Sequence, residues 1–181
     1  MKNKKIVITG APGTGKSTII LELEKMGYSC MHEISREVTL EARRLGTEQL
    51  FLTEPLLFSD KLLKGRINQF GKSDTTDDEL IFFDRGIPDV QAYLNYISLD
   101  YPEEYIKYGK KYRYDFVFLM PPWEDIYTTD NERYETFEQS LAIHNHLLRT
   151  YKSLGYTVVE VQPGTVEKRI QFILSVIQTF Q

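Results

Sequence analysis

Cysteine is nearly absent from this chain: Cys30 stands alone among 181 residues. An intrachain disulfide is therefore excluded, and so is a Cys-rich zinc site. Histidine is almost as scarce. Of the 3 present, His32 stands by itself, and His144 and His146 lie two apart in a helical stretch, where they point to different faces and make a poor metal pair. Positive charge is in short supply as well, with 22 Lys and Arg against 26 Asp and Glu, a net charge of -4 and a pI near 5.5. A protein whose main partner is nucleic acid normally presents a basic surface, so that class is disfavoured. Long apolar runs are missing too. After Met1-Lys2-Asn3-Lys4-Lys5 only a few apolar residues precede Gly10-Ala11-Pro12-Gly13, which reads as a buried strand and not as a secretory or membrane segment. The expectation is a cytoplasmic protein without a membrane partner, folded as one domain over 1–181.

What is present is concentrated at the start. Gly10-Ala11-Pro12-Gly13-Thr14-Gly15-Lys16-Ser17 matches G-x-x-x-x-G-K-[ST] and stands between a predicted strand and a predicted helix, the context of a phosphate-binding loop. A nucleoside triphosphate tail is a string of anionic oxygens. The glycines let consecutive backbone N–H groups turn inward around it, and the following helix adds its positive dipole end. Gly10, Gly13, Thr14, Gly15, Lys16, Ser17 and Thr18 are the expected nucleotide contacts, with Lys16 on the β/γ-phosphates and the Ser17 hydroxyl on Mg²⁺.

Strands alternate with helices along the chain, which predicts a parallel α/β sheet. Strands are expected at Lys5–Thr9, Tyr28–Met31, Leu80–Asp84, Phe116–Met120 and Tyr156–Val161. Helices are expected at Lys16–Met26, Ser35–Leu45, Thr53–Phe70, Pro88–Ile97, Pro102–Lys111, Glu135–Leu154 and Thr165–Thr179. Thr53 is the expected N-cap of its helix, ahead of Pro55. The helical excursion 34–71 is placed to form a flap on the substrate side, and 121–136 a lid. Gly71 to Glu79 reads as an exposed connection whose acids are a solvated turn and not a metal site. Tyr101, Tyr105, Tyr108 and Tyr112 recur at helical spacing and read as packing.

Leu80-Ile81-Phe82-Phe83-Asp84 is an apolar run ending in one carboxylate, the pattern of a central strand that delivers an acid to the ligand-binding edge of the sheet. Asp84 is the candidate to hold Mg²⁺, with helix capping as the alternative. Motor-type ATPases place a Glu next to orient water; here Arg85 follows, which holds a phosphate or an acceptor oxygen but cannot act as a base. Asp89 reads as a helix N-terminus stabiliser. Glu33 leaves the second strand where it could accept a proton from an acceptor hydroxyl or position it, and Arg36, one turn on, could bind a substrate anion; a capping acid and a surface ion pair are the alternatives. Arg133 is the candidate lid arginine over the γ-phosphate, ahead of Arg149 and Arg113, or else an ordinary exposed residue at a helix start. Trp123 lines a nucleoside pocket or a core edge.

Gly10–Ser17, Glu33 with Arg36, Asp84-Arg85, Pro122-Trp123 and Asp130 with Arg133 together resemble the AAA-domain family of small predicted ATPases. That family is similar to the ribosylnicotinamide kinase domain of bacterial NAD-biosynthesis regulators. The resemblance covers nearly the whole chain and implies ATP binding. With Arg85 where a Glu would stand and little chain after the fifth strand, it does not imply a ring-forming motor. The sequence thus predicts a three-layer P-loop NTPase with a five-stranded parallel sheet of order 2-3-1-4-5. The expected activity is kinase-like, transferring the γ-phosphoryl of MgATP to a small hydroxyl-bearing acceptor such as a nucleoside. An ATPase or nucleotide-dependent switch acting with a protein partner is the second reading. A 5′-hydroxyl polynucleotide kinase is the third, disfavoured by the acidic charge.

Overall fold

The computed structural model describes residues 3–126 and 135–179. Its strand β1 (Lys4–Gly10) sends Ile6 and Ile8 to one side and Val7 to the other, all fully buried. In β3 (Leu80–Asp84), Phe82 opposes Ile81 and Phe83, and in β4 (Phe116–Met120), Phe118 and Met120 oppose Val117 and Leu119. Strand centres covered on both faces are apolar on both, which is why they stand out as uninterrupted runs, with the buried polar residues Lys5, Thr9 and Asp84 toward the strand ends. With the short edges β2 (Ser29–Met31) and β5 (Val158–Glu160), all pairs are parallel and the order is β2-β3-β1-β4-β5, as predicted.

Helices α1 (Lys16–Lys25) and α8 (Val166–Thr179) cover one face of the sheet through Ile19, Ile20, Leu23, Ile170, Ile173 and Ile177. The opposite face is covered by α2 (Ser35–Arg44), α3 (Leu50–Thr53), α4 (Pro55–Ser73), α5 (Ile87–Tyr96), α6 (Glu104–Lys111) and α7 (Phe137–Ser153). Among the described residues no helix is long and apolar enough to cross a membrane. The register Ile8↔Asp84 and Gly10↔Met120 brings the ends of β1, β3 and β4 to one edge. That edge carries the candidate site.

Several boundaries differ from expectation for local reasons. Thr53 does not cap the long flap helix. It ends α3, because Pro55 restricts the residue before it, and Glu54 sits at φ -138, ψ 65, outside the helical region. The same helix runs on through Gly71 to Ser73, so the exposed connection is shorter than expected, and its Ser73 is buried. Two of its acids are engaged: Asp74 Oδ1 accepts from Lys5 Nζ at 2.7 Å and Asp78 Oδ2 from Ser29 Oγ at 2.6 Å. The tyrosine stripe is packing, with Tyr105 buried and Tyr101, Tyr108 and Tyr112 against the same core.

Helix α7 begins at Phe137, two residues later than expected, because Thr136 caps it. Thr136 Oγ1 accepts from the Gln139 amide at 3.3 Å while Gln139 Oε1 accepts from the Thr136 amide at 2.7 Å, a reciprocal capping box. Thr136→Ala is expected to cost about 1 kcal/mol. A chemical denaturation midpoint indistinguishable from the parent would show that the box contributes nothing.

Candidate functional site

The loop between β1 and α1 turns on glycines at positive φ: Gly10 at 153°, Gly13 at 80° and Gly15 at 80°. A Cβ on Gly10 would lie 2.5 Å from the Met120 carbonyl oxygen, so this position also needs the absence of a side chain for β4 to approach. Lys16 is buried and folded back over the loop, donating to the Ala11 carbonyl at 2.7 Å and to Thr14 Oγ1 at 3.3 Å. Burial first, then the nearby Arg85, pull its ammonium down to about 7, against the opposing pull of Asp84, Glu33 and Asp89. An ammonium held this weakly is ready to take up charge when an anion arrives. Ser17 and Thr18 are exposed in the first turn of α1.

Asp84 ends β3 beside the loop and is buried; burial raises its carboxyl above the usual range, with Lys16 and then Arg85 opposing. Its Oδ1 is buried with no hydrogen-bond partner. An orphaned carboxylate oxygen is costly unless something positive engages it. A hard cation fits that demand, with the Asp84 carboxylate and the Ser17 hydroxyl as its protein oxygens. Among the described residues no cluster of three or more His, Cys, Asp and Glu could hold a metal by itself. The remaining ligands would be phosphate oxygens and water, as Mg²⁺ prefers.

Next to this lies a cluster of four side chains. Arg85 adopts φ 73°, left-handed and unusual for a residue with a side chain; such a conformation costs of order 1–3 kcal/mol and persists only where the surroundings hold it. Its amide donates to the Ile8 carbonyl at 3.0 Å, and its Nη1 donates to the Gly10 carbonyl at 3.0 Å and lies 3.5 Å from Asp89. Arg85 Nε also pairs closely with Glu33 Oε2. Arg66, from α4, reaches Glu33 Oε1 at 3.2 Å and donates to the Gly86 carbonyl at 3.1 Å. Burial alone would raise the Glu33 carboxyl, but Arg66 and then Arg85, with the Ser35 amide, bring it down to about 2. Asp89 is held by Thr9 Oγ1 at 2.5 Å, Tyr151 at 2.6 Å and the Gly86 amide at 2.9 Å. These residues open onto a cavity of about 450 Å³ whose wall also includes Pro12 of the phosphate loop, Arg36, Phe58 and Tyr93.

Of the residues singled out from sequence, the structure brings the phosphate loop, Asp84, Arg85, Glu33 and Arg36 to this one edge. Glu33 also accepts from the Ile34 and Ser35 amides, both at 3.1 Å, so it serves the start of α2 as well as the arginines. Asp89 stabilises the start of α5 as expected. Asp130 and Arg133 lie outside the described residues. Trp123 donates to Asp125 Oδ2 at 2.9 Å and is not part of the cavity wall.

Two residues escaped the sequence reading. Arg66 lies on the buried face of α4 with Leu62 and Leu63, and a lone arginine on an apolar stripe was the available signal. Arg169 is buried under the phosphate loop, donating to the Thr14 carbonyl at 2.8 Å; nothing in the pattern of α8 marks it.

A phosphate loop at the carboxyl edge of a 2-3-1-4-5 parallel sheet defines a P-loop NTPase fold. The chain belongs to the AAA domain family, whose profile matches residues 5–169. Sequence comparison with curated proteins gives no match. Among solved structures, the fold is similar to that of a deoxyadenosine kinase from M. mycoides with dCMP and dCDP bound, at 19% identity and TM-score 0.73, covering 97% of this chain and 99% of that one. It is similar to the NadR protein in complex with NR at 16% identity and TM-score 0.73, covering 98% of this chain but 50% of NadR. Thymidylate kinase from Candida albicans aligns at 17% identity and TM-score 0.71, covering 98% and 92%.

Proposed function

We propose that this protein is a phosphotransferase that moves the γ-phosphoryl of MgATP to a hydroxyl of a small molecule. The observation that carries the reading is the Glu33–Arg85 pair, set in a cavity that shares Pro12 with the phosphate loop. Mg²⁺, when bound, supplies charge neutralisation on the β- and γ-phosphates. Loop amides and Lys16 hold the phosphates, and Ser17 and Asp84 hold the ion. Arg133, from the lid segment, would supply a cation over the transferring group. The bond that forms joins the acceptor oxygen to the γ-phosphorus; the one that breaks leaves its electron pair on the β-phosphate oxygen of ADP, and the hydroxyl proton is released.

Glu33 acts here by orientation. A carboxyl brought down to about 2 is a weak base at neutral pH, while an ionised carboxylate held by two arginines is a rigid hydrogen-bond acceptor for a hydroxyl. A loose transition state needs the oxygen in line more than it needs it deprotonated. Arg85, engaged with Glu33 and Gly10, stands where a water-orienting acid would stand in a hydrolytic motor, which favours transfer over the switch reading. The single cysteine and the dependence on ATP suit the cytoplasm.

Glu33→Gln tests the assignment. Transfer should fall on the order of 10²-fold, within the range of one positioned acid–base or orienting group. MgADP affinity, measured by calorimetry, should change much less, because Glu33 touches the acceptor side. Equal losses of nucleotide binding and of transfer would make Glu33 a structural residue.

A further inference from the structure

Arg169 is a buried charge that the phosphotransfer reading leaves unused. It lies in the first turn of α8, where its amide donates to the Thr165 carbonyl at 3.1 Å, and it is 5% exposed. Its Nη2 donates to the Thr14 carbonyl at 2.8 Å and meets Met120 Sδ at 3.5 Å, while its Nε is buried with no hydrogen-bond partner. Burial lowers the guanidinium from its ordinary range, and no carboxylate among the described residues pulls it back. Desolvating a cation without a counter-charge is costly. Its place under the loop therefore asks for a reason beyond packing.

That reason lies in the peptide joining Thr14 to Gly15. Gly15 stands at φ 80°, ψ 17°, and glycine takes positive and negative φ about equally, so this peptide could turn either of its faces into the loop. The Thr14 side chain is pinned, its Oγ1 donating to the Ala11 carbonyl at 3.0 Å, but that bond leaves the following peptide plane free. The peptide is trans, so its C=O and N–H point opposite ways. With the carbonyl engaged by Arg169, the Gly15 amide points away from the guanidinium, and among the described residues it meets no acceptor. Turned over, the same unit would offer its carbonyl oxygen to the phosphates and repel them. Arg169 Nη1 also lies 2.9 Å from where a Cβ on Gly15 would stand, so two nitrogens of the guanidinium sit against the Thr14–Gly15 unit.

We propose that Arg169 is a positioning residue for nucleotide binding: from the outer side of the loop it holds the Thr14 carbonyl, so that the Gly15 amide faces the phosphates. This rests on the phosphate-loop reading and adds to it a residue far outside the motif. A hydrogen bond from a charged donor is worth about tenfold in an equilibrium or more. The bound triphosphate in turn brings negative charge toward a guanidinium that lacks a counter-ion.

The test is calorimetry on the full chain, at a temperature where every variant is folded, with MgADP and magnesium pyrophosphate as probes. Arg169→Gln should weaken both by the same factor, about tenfold or more, because pyrophosphate reaches the loop but carries no base or ribose. Arg169→Lys, which keeps a charged donor, should lose less, and it serves as the second variant if Arg169→Gln does not fold. Hydrogen exchange at the Gly15 amide, followed by NMR, should slow on adding MgADP to the parent and change little in Arg169→Gln, a difference that a merely structural role would not produce. The proposal is overturned if Arg169→Gln binds both probes as tightly as the parent, or if only MgADP weakens, which would put the guanidinium on the base or ribose. It is overturned equally if Arg169→Lys binds more weakly than Arg169→Gln, or if MgADP leaves Gly15 exchange unchanged in the parent. A parent that binds neither probe removes the phosphate-loop reading together with this one. A parent that binds both but transfers nothing from ATP leaves the role of Arg169 standing and removes the kinase reading instead.

Discussion

Lys16→Ala is expected to lower phosphoryl transfer on the order of 10²-fold or more, as for other preorganised charge donors, while leaving the nucleotide-free protein no less stable at pH 7. The two halves follow from one fact. Lys16 is buried, and its ammonium is brought down to about 7 from the ordinary 10.5, chiefly by burial. A lysine whose folded value is depressed binds fewer protons folded than unfolded, so it works against folding at pH 7 and below, and that penalty fades as pH rises toward 10.5. Removing it takes away a desolvated amine along with two hydrogen bonds to the loop. Thermal unfolding of the variant without nucleotide should show an unchanged or raised midpoint at pH 7, and the rise produced by MgATP in the parent should largely vanish. The same depressed value predicts that nucleotide binding takes up protons above pH 7, because the triphosphate restores the charge. Calorimetry in buffers of different ionisation enthalpy reads this directly. A variant that turns over at the parental rate would remove Lys16 from the chemistry.

The part of this molecule that was legible in sequence is the part governed by local rules. Strand centres buried on both faces are apolar on both, so Ile6 to Ile8, Ile81 to Phe83 and Val117 to Met120 announced the sheet, and the glycines at positive φ announced the loop. Asp84 could be placed because it ends such a run. The helix break at Glu54 was harder to see because Thr53 and Pro55 together imitate a helix start, while the actual break depends on how Pro55 constrains the residue before it. Arg66 carried only the weak signal of a lone arginine on an apolar stripe and Arg169 carried none, for a different reason. Each is a long side chain whose partner is distant in the chain, Glu33 in one case and Thr14 in the other. Glu33 stood between two readings, and the structure gives it both sets of contacts: amide bonds at the start of α2 and arginine pairs facing the cavity.

Arg85→Ala is expected to abolish most transfer and to destabilise the fold by about 3 kcal/mol, near the lower end for breaking a buried ion pair. The lower end applies because the carboxylates left behind keep other partners: Glu33 retains Arg66, and Asp89 retains Thr9, Tyr151 and the Gly86 amide. Arg85→Gly separates the side chain from the backbone. Both variants lose the guanidinium, but position 85 sits at φ 73°, where alanine is strained and glycine is not, so Arg85→Gly should be more stable than Arg85→Ala by about 0.5–1 kcal/mol. The two should be equally poor at transfer, since neither can brace Glu33. The acid limb gives a third reading. Glu33, depressed to about 2 from 4.5, contributes stability that is complete above pH 4.5 and is lost as pH falls toward 2; without Arg85 its carboxyl rises, and that contribution shrinks. Urea titrations at pH 7 and pH 4 measure both quantities. Parental activity in Arg85→Gly would mean that the arginine serves only to hold the chain, and a glycine variant less stable than the alanine variant would mean that position 85 carries no backbone strain.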